Sequence, residues 1–126
     1  MKHLISMFAL FFTLFSTSLM AEPQPYNQAA FDALQKEGKP MLVHIHAKWC
    51  STCRTQAPII QSLLNEDQFA GLTALHVDYD DQKDVVKSFK VNRQATILVF
   101  KDGKEVGRST SDTSRAGISK LMQKAL

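Results

Sequence analysis

His46-Ala47-Lys48-Trp49-Cys50-Ser51-Thr52-Cys53 contains the only two cysteines of the chain, set three positions apart directly after the apolar run that ends at Ile45. The segment leading into it, Met41-Leu42-Val43-His44-Ile45-His46-Ala47, is short, mostly apolar and preceded by Pro40, which fits a buried strand. His44 and His46 alternate with Val43 and Ile45, so both histidines point to one face of that strand. Beyond it a helix is expected from near Cys50 to about Asn65. Ile59, Ile60, Leu63 and Leu64 form its apolar stripe, and Pro58 kinks it in the middle.

Working outward toward the N-terminus, Asn27 is an N-cap for a helix over about 28–37, in which Ala30, Phe31 and Leu34 recur at helical spacing until Gly38 and Pro40 stop the pattern. Glu22-Pro23-Gln24-Pro25-Tyr26 before it reads as a stiff, non-helical lead-in that packs loosely. Toward the C-terminus, Leu72 to Asp78 is a second strand, and Asp80 or Asp81 caps a third helix that turns Val85, Val86 and Phe89 inward. Ala95 to Phe100 and Glu105 to Ser109 form a hairpin with Asp102-Gly103 at its tip. A last helix from about Ser114 to Ala125 carries Ile118, Leu121 and Met122. This order gives an α/β fold with a central mixed four-stranded sheet and helices on both faces. Met41 and Met122 are packing residues, and His3 and His76 have no evident partner. The acidic run Asp78 to Asp81 lacks the alternating ligands and glycine of a calcium loop and reads as a loop and helix start.

A chain of 126 residues accommodates one compact domain. Lys2, the apolar run Leu4 to Phe15 and the small residues between Ser16 and Ala21 read as an export signal over 1–21, leaving a domain over 22–126. The chain is therefore expected to be exported, to the periplasm if it is bacterial. An uncleaved anchor is the competing reading, but the apolar run is shorter than the roughly 20 residues a spanning helix needs. The net charge of +3 comes from scattered lysines and arginines with no block of five like charges, which argues against nucleic acid as a partner. Export places the cysteines where disulfides persist. A static Cys50–Cys53 staple closes so small a loop that it stabilises by only about 2 kcal/mol.

The strand, then Ala47-Lys48-Trp49-Cys50-Ser51-Thr52-Cys53-Arg54 with Pro58 downstream, then Ala95-Thr96-Ile97-Leu98-Val99-Phe100-Lys101-Asp102-Gly103, resembles thioredoxin over essentially the whole of 22–126. The family's first edge strand has no obvious counterpart. The resemblance implies a thioredoxin-like fold and thiol–disulfide exchange, with Cys50 as nucleophile, Cys53 as the resolving thiol and no dissociable organic cofactor. A thiol at a helix N-terminus independently fits the nucleophile, because unpaired amides and the helix dipole stabilise a thiolate, and Lys48 adds positive charge nearby. Trp49 reads as an apolar shelf beside Cys50 for a protein substrate. With Gln94, Ala95 and Thr96 it makes up the expected substrate contact. The expected partners are proteins carrying disulfides or thiols, with a membrane-embedded thiol transporter as electron source if the protein is a reductant. A monomer is expected.

Three positions depart from the family pattern. Ala95 stands where a cis-proline usually lies against the cysteines; a cis bond before alanine costs about 3 to 4 kcal/mol, so a trans bond and a reshaped substrate groove are expected. His44 takes the place of the buried acid that serves the second cysteine, and reads either as the proton acceptor or as a core histidine satisfied by hydrogen bonds. His46 replaces an aromatic residue. With His44, Cys50 and Cys53 it forms a set able to hold copper or zinc, so a metal-binding or metal-delivery module is the principal alternative function. A non-catalytic binding domain with a static bridge is the third reading.

Overall fold

The computed structural model describes Ser16 and residues 19–126; the export signal assigned to 1–21 lies largely outside the described residues. The elements are β1 (Gln24–Pro25), α1 (Gln28–Lys36), β2 (Met41–His46), α2 (Ser51–Leu64), a 3-10 turn (Asp67–Phe69), β3 (Thr73–Asp78), α3 (Lys83–Ser88), β4 (Thr96–Lys101), β5 (Lys104–Thr110) and α4 (Arg115–Gln123). They form a mixed sheet in the order β1-β3-β2-β4-β5. β2 pairs in parallel with β3, while β4 is antiparallel to both β2 and β5.

Strand periodicity sorts the core into two layers. Met41, Val43, Ile45, Leu75, Val77, Leu98 and Phe100 pack with Phe31 of α1 and Val86 of α3 on one face. Leu42, Ala74, Ile97 and Val99 pack with Ile60, Leu63 and Leu64 of α2 and Ile118, Leu121 and Met122 of α4 on the other. Because side chains alternate along a strand, His44, His46 and His76 belong to the α2/α4 side, and strand register places His44 beside His76 and His46 beside Asp78. β2 is therefore buried on both sides, and its histidines lie under α2.

The helix ends follow local chemistry. Asn27 accepts from the Ala30 amide at 3.1 Å and caps α1 as the sequence suggests, and Ser114 accepts from the Gly117 amide at 3.1 Å to cap α4. α3 differs: its N-cap is Gln82, with no side-chain cap bond, and neither Asp80 nor Asp81 fills that role. The carboxylate of Asp78 is occupied instead by the amides of Asp80 and Asp81, both at 2.9 Å, which folds the acidic run into a closed turn. At the hairpin tip Asp102 and Gly103 take φ of 52° and 75°, the left-handed pair that a two-residue turn requires.

The sheet has five strands where four were expected, because the proline-containing lead-in forms the edge. Gln24 and Pro25 align with Leu75 and His76, and the Tyr26 amide donates to the His76 carbonyl at 2.8 Å. Pro25 is tolerated because an edge strand leaves one side without ladder partners. Tyr26 is not loosely packed: it is 7% exposed, with its ring centroid 5.6 Å from that of Phe31 and 5.9 Å from that of Phe89. Replacement Tyr26→Ala is expected to lower the unfolding free energy by about 3 kcal/mol, read as a lower denaturant midpoint at unchanged slope. A loosely packed lead-in would instead give a change within about 0.5 kcal/mol.

Candidate active site

The site is built at the head of α2, just past the C-terminal end of β2. Cys50 is the N-cap of that helix, with φ −85° and ψ 109°, and its sulfur accepts the Cys53 amide at 3.1 Å. A first-turn amide has no intrahelical acceptor, and here a cysteine sulfur fills the place that serine or aspartate commonly takes. Cys50 and Cys53 form a disulfide with their Cα atoms 5.3 Å apart. Each residue is only 3% exposed, so exposure does not distinguish the two in this oxidised state; position on the helix does. The helix continues through Pro58, which lacks the N–H that would otherwise bond the Arg54 carbonyl.

Around the bridge, Ala47, Ala95 and the half-buried ring of Tyr79 form a small apolar cluster with both cysteines. The Tyr79 hydroxyl donates to the Asn92 carbonyl at 3.0 Å, which ties this ring to the loop before β4. Among the described residues no peptide is cis, so the Gln94–Ala95 bond is trans. Ala95 adopts φ 60°, a left-handed conformation that costs a non-glycine residue about 1 kcal/mol or more. Its amide donates to the Ile45 carbonyl at 2.8 Å. A proline could supply neither that φ nor that donor. The expected substrate-contacting residues divide accordingly. Trp49 is 59% exposed and its indole N–H donates to Asp80 Oδ2 at 2.7 Å, Gln94 is half-buried, and Ala95 and Thr96 are buried. The Thr96 hydroxyl is turned inward, donating to the Arg93 carbonyl at 2.8 Å and lying 3.1 Å from the Thr110 hydroxyl.

Beneath the bridge is a cavity of about 190 Å³ lined by Cys53, His44, His46, His76, Pro23 and Ile60, among others. The imidazoles of His44 and His46 have centroids 5.9 Å apart, and those of His46 and His76 are 5.1 Å apart. His44 Nε2 lies 2.9 Å from Gln56 Oε1. Burial pushes His44 down to about 4, with the Gln56 hydrogen bond opposing the shift and the neighbouring His46 and His76 adding to it. His76 is lowered by burial and by His46, with Asp78 opposing. Asp78 itself is lowered, chiefly by the backbone amide of Asp81, then by that of Asp80, and also by His46 and Lys48. Among the described residues no group of three or more histidine, cysteine, aspartate or glutamate side chains is gathered as a metal site. The set His44, His46, Cys50 and Cys53 is thus not assembled for a cation, and the disulfide engages both of its sulfurs.

Two participants had no role in the sequence reading. Gln56 is entirely buried and joins His44 to the loops around Ala95 and Asp112. Its signal is faint: a single polar residue in the apolar stripe Cys53, Gln56, Ile60, Leu63. His76 acquires its partners only through the parallel register of β2 with β3.

A buried disulfide at a helix head, capped through its own first sulfur and set on a mixed sheet between two helical layers, defines a thiol–disulfide oxidoreductase. The thioredoxin family model matches residues 22–124. The chain is 32% identical over 84 residues to thioredoxin of Chlamydia trachomatis, covering 67% of this chain and 80% of that protein. It is also 26% identical over 106 residues to a Schizosaccharomyces pombe protein named as a protein disulfide-isomerase, covering 84% of this chain but only 22% of that longer protein. Among solved structures, Trxlp from Edwardsiella tarda superposes with a TM-score of 0.78 at 33% identity, covering 80% of this chain and 98% of that one. The protein belongs to the thioredoxin family.

The position of His44 makes stability depend on pH. Its folded value lies below the ordinary 6.5, so the unfolded chain binds the extra proton first. The contribution is fully present above about pH 6.5, declines as the pH falls, and is lost below about pH 4. The shift corresponds to roughly 3 kcal/mol, with His76 adding in the same direction. Denaturant unfolding between pH 7 and pH 4 should therefore show stability falling on acidification in the native chain and a markedly flatter profile in His44→Asn.

Proposed function

We propose that this protein is an exported oxidoreductase that exchanges disulfides with protein substrates, with Cys50 as nucleophile, Cys53 as resolving thiol and His44 as the acceptor of the Cys53 proton. The observation that carries this reading is the hydrogen bond from the Cys53 amide to the Cys50 sulfur at the head of α2. Once the bridge is reduced, the same amide and the helix dipole favour a thiolate at Cys50 over one at Cys53.

In the reducing direction, the Cys50 thiolate attacks one sulfur of a substrate disulfide. The substrate S–S bond breaks, its second sulfur leaves as a thiolate and takes a proton, and Cys50 is held in a mixed disulfide. Cys53 then loses its proton and attacks the Cys50 sulfur. The Cys50–Cys53 bond forms, the remaining substrate thiol departs, and two electrons have passed to the substrate. His44 lines the same cavity as Cys53 and is held neutral, which leaves a ring nitrogen able to receive that proton. Its lowered affinity makes it a weak acceptor beside a disulfide; the negative charge that develops on Cys53 as the proton leaves raises that affinity through opposite charge. The exposed face of Trp49, with Gln94, Ala95 and Thr96 across the bridge, forms the substrate contact. Thr96 is buried, with its hydroxyl engaged internally and its backbone aligned with Ile45 and Thr110 in the sheet, so the accessible part of that contact is Trp49 and Gln94.

Export rests on the sequence of residues 1–21, which leaves a mature chain beginning at Glu22. An exported reductant must draw electrons across a membrane, so a membrane-embedded thiol transporter is the fitting donor to a monomeric chain. Metal handling through Cys50, Cys53, His44 and His46 has no assembled ligand set to support it.

Alkylation of single-cysteine variants tests the nucleophile. At pH 6, Cys53→Ser, which retains Cys50, should react with iodoacetamide about tenfold faster than an ordinary thiol of pKa near 8.5, and Cys50→Ser should not. Equal rates, or a faster Cys53, would reverse or abolish the assignment. Expression in a Gram-negative host followed by osmotic-shock fractionation should release a chain whose mass corresponds to a start at Glu22. Recovery of the full-length chain in the cytoplasm would remove the export reading.

A further inference from the structure

α2 turns Cys53, Gln56, Ile60, Leu63 and Leu64 inward, so Gln56 occupies a core position one turn beyond Cys53. A carboxamide there is costly unless its groups are paired. Each is. Gln56 Nε2 donates to the Ala95 carbonyl at 3.1 Å and to the Asp112 carbonyl at 2.9 Å, and Oε1 lies 2.9 Å from His44 Nε2.

These contacts determine more than packing. Both partners of the Gln56 nitrogen are carbonyl oxygens, which only accept, so the amide cannot be turned over without setting oxygen against oxygen. Gln56 Oε1 must therefore face His44, and an amide oxygen only accepts. The His44 nitrogen that meets it has to carry a proton. A neutral imidazole has one N–H, so Nδ1 is left with its lone pair, and it has no hydrogen-bond partner among the described residues. The tautomer of His44 is thus dictated by two backbone carbonyls acting through one side chain.

We propose that Gln56 is the positioning residue for the resolving step: it holds His44 in the Nε2–H tautomer and so leaves Nδ1 as the site that takes the proton of Cys53. This inference rests on the reading of His44 as the proton acceptor. Gln56 also couples the acceptor to the substrate side of the site. The Ala95 carbonyl it binds receives the Ser111 amide at 2.9 Å as well, and Ala95 packs against both cysteines. One amide therefore fixes the ring under Cys53 and the loop beside it.

The effect of removing Gln56 follows from the same reasoning. With leucine at 56, an N–H at Nε2 would face an apolar side chain, whereas one at Nδ1 keeps access to the cavity. The ring then gains by moving its proton to Nδ1, where it blocks the lone pair the reaction needs.

Nitrogen-15 NMR of the histidine ring in the mature chain at pH 7 reads the tautomer directly. The native protein should show His44 protonated on Nε2, and Gln56→Leu should shift it to Nδ1. Single-turnover resolution of a preformed Cys50 mixed disulfide should slow about tenfold in Gln56→Leu, a fraction of what general-base catalysis supplies. A native His44 protonated on Nδ1 overturns the proposal, and this measurement needs no variant to fold. So does a Gln56→Leu protein whose tautomer is unchanged or whose resolution rate stays within twofold of native. His44→Asn measured alongside separates the two readings. An unaltered rate there removes the acceptor role of His44, whereas a slowed His44→Asn beside an unaltered Gln56→Leu removes Gln56 alone.

Discussion

The amide of Cys53 donating to the sulfur of Cys50 is the contact on which the site turns. Ser51 and Thr52 are both better N-caps than a cysteine, yet α2 begins at Ser51, and the sulfur one residue earlier receives the amide. A start one or two residues later would have given a hydroxyl the capping role and left Cys50 outside the field of the helix. In the reduced chain the cap is strongest when the sulfur is charged, since hydrogen bonds to an ionised acceptor are roughly twice as strong as neutral ones. Helix initiation and the placing of the Cys50 sulfur at the positive end of the helix are the same event.

β2 carries the second constraint. It is paired on both edges and covered on both faces, so the side chains from Met41 to Ile45 are all buried. Alternation sends Met41, Val43 and Ile45 to the α1/α3 layer and Leu42 and His44 beneath α2, and a one-residue slip would exchange them. A buried imidazole there would oppose folding if unpaired. Gln56 pairs with its Nε2 while its own two donors close on the carbonyls of Ala95 and Asp112, so every group of the amide is engaged within an otherwise apolar layer.

Much of this was legible in the sequence because it is local. Helical spacing of Phe31 and Leu34, the apolar run of β2, the Asp102-Gly103 turn, the cap at Asn27 and the start of α4 near Ser114 each depend on neighbours a few residues away, and the structure reproduces them within one or two residues. The edge strand was hidden because two residues flanked by proline carry no periodicity, and their pairing depends on an exposed edge of β3 some fifty positions later. The cap of α3 was misread because Asp78, a strand residue, turns its carboxylate onto the amides of the aspartates thought to be the cap. The left-handed Ala95 follows the same logic. Its conformation is enforced by the Ile45 carbonyl, the Ser111 amide and Gln56, three partners from three other segments.

Under the proposed mechanism, a neutral imidazole at His44 decides how charge enters the site. A buried carboxylate near the bridge would bring negative charge into the cavity before any chemistry. A neutral imidazole brings none, and burial with neighbouring His46 and His76 keeps it neutral at pH 7. The first charge to appear on opening the bridge is then the thiolate at the head of α2, where the Cys53 amide already points. In the resolving step Cys50 is bound in the mixed disulfide and neutral, so the charge that raises the proton affinity of the imidazole is the one that develops on Cys53 as its proton leaves. The low dielectric that makes His44 a poor base beside a disulfide also lets one nearby charge convert it into an adequate one.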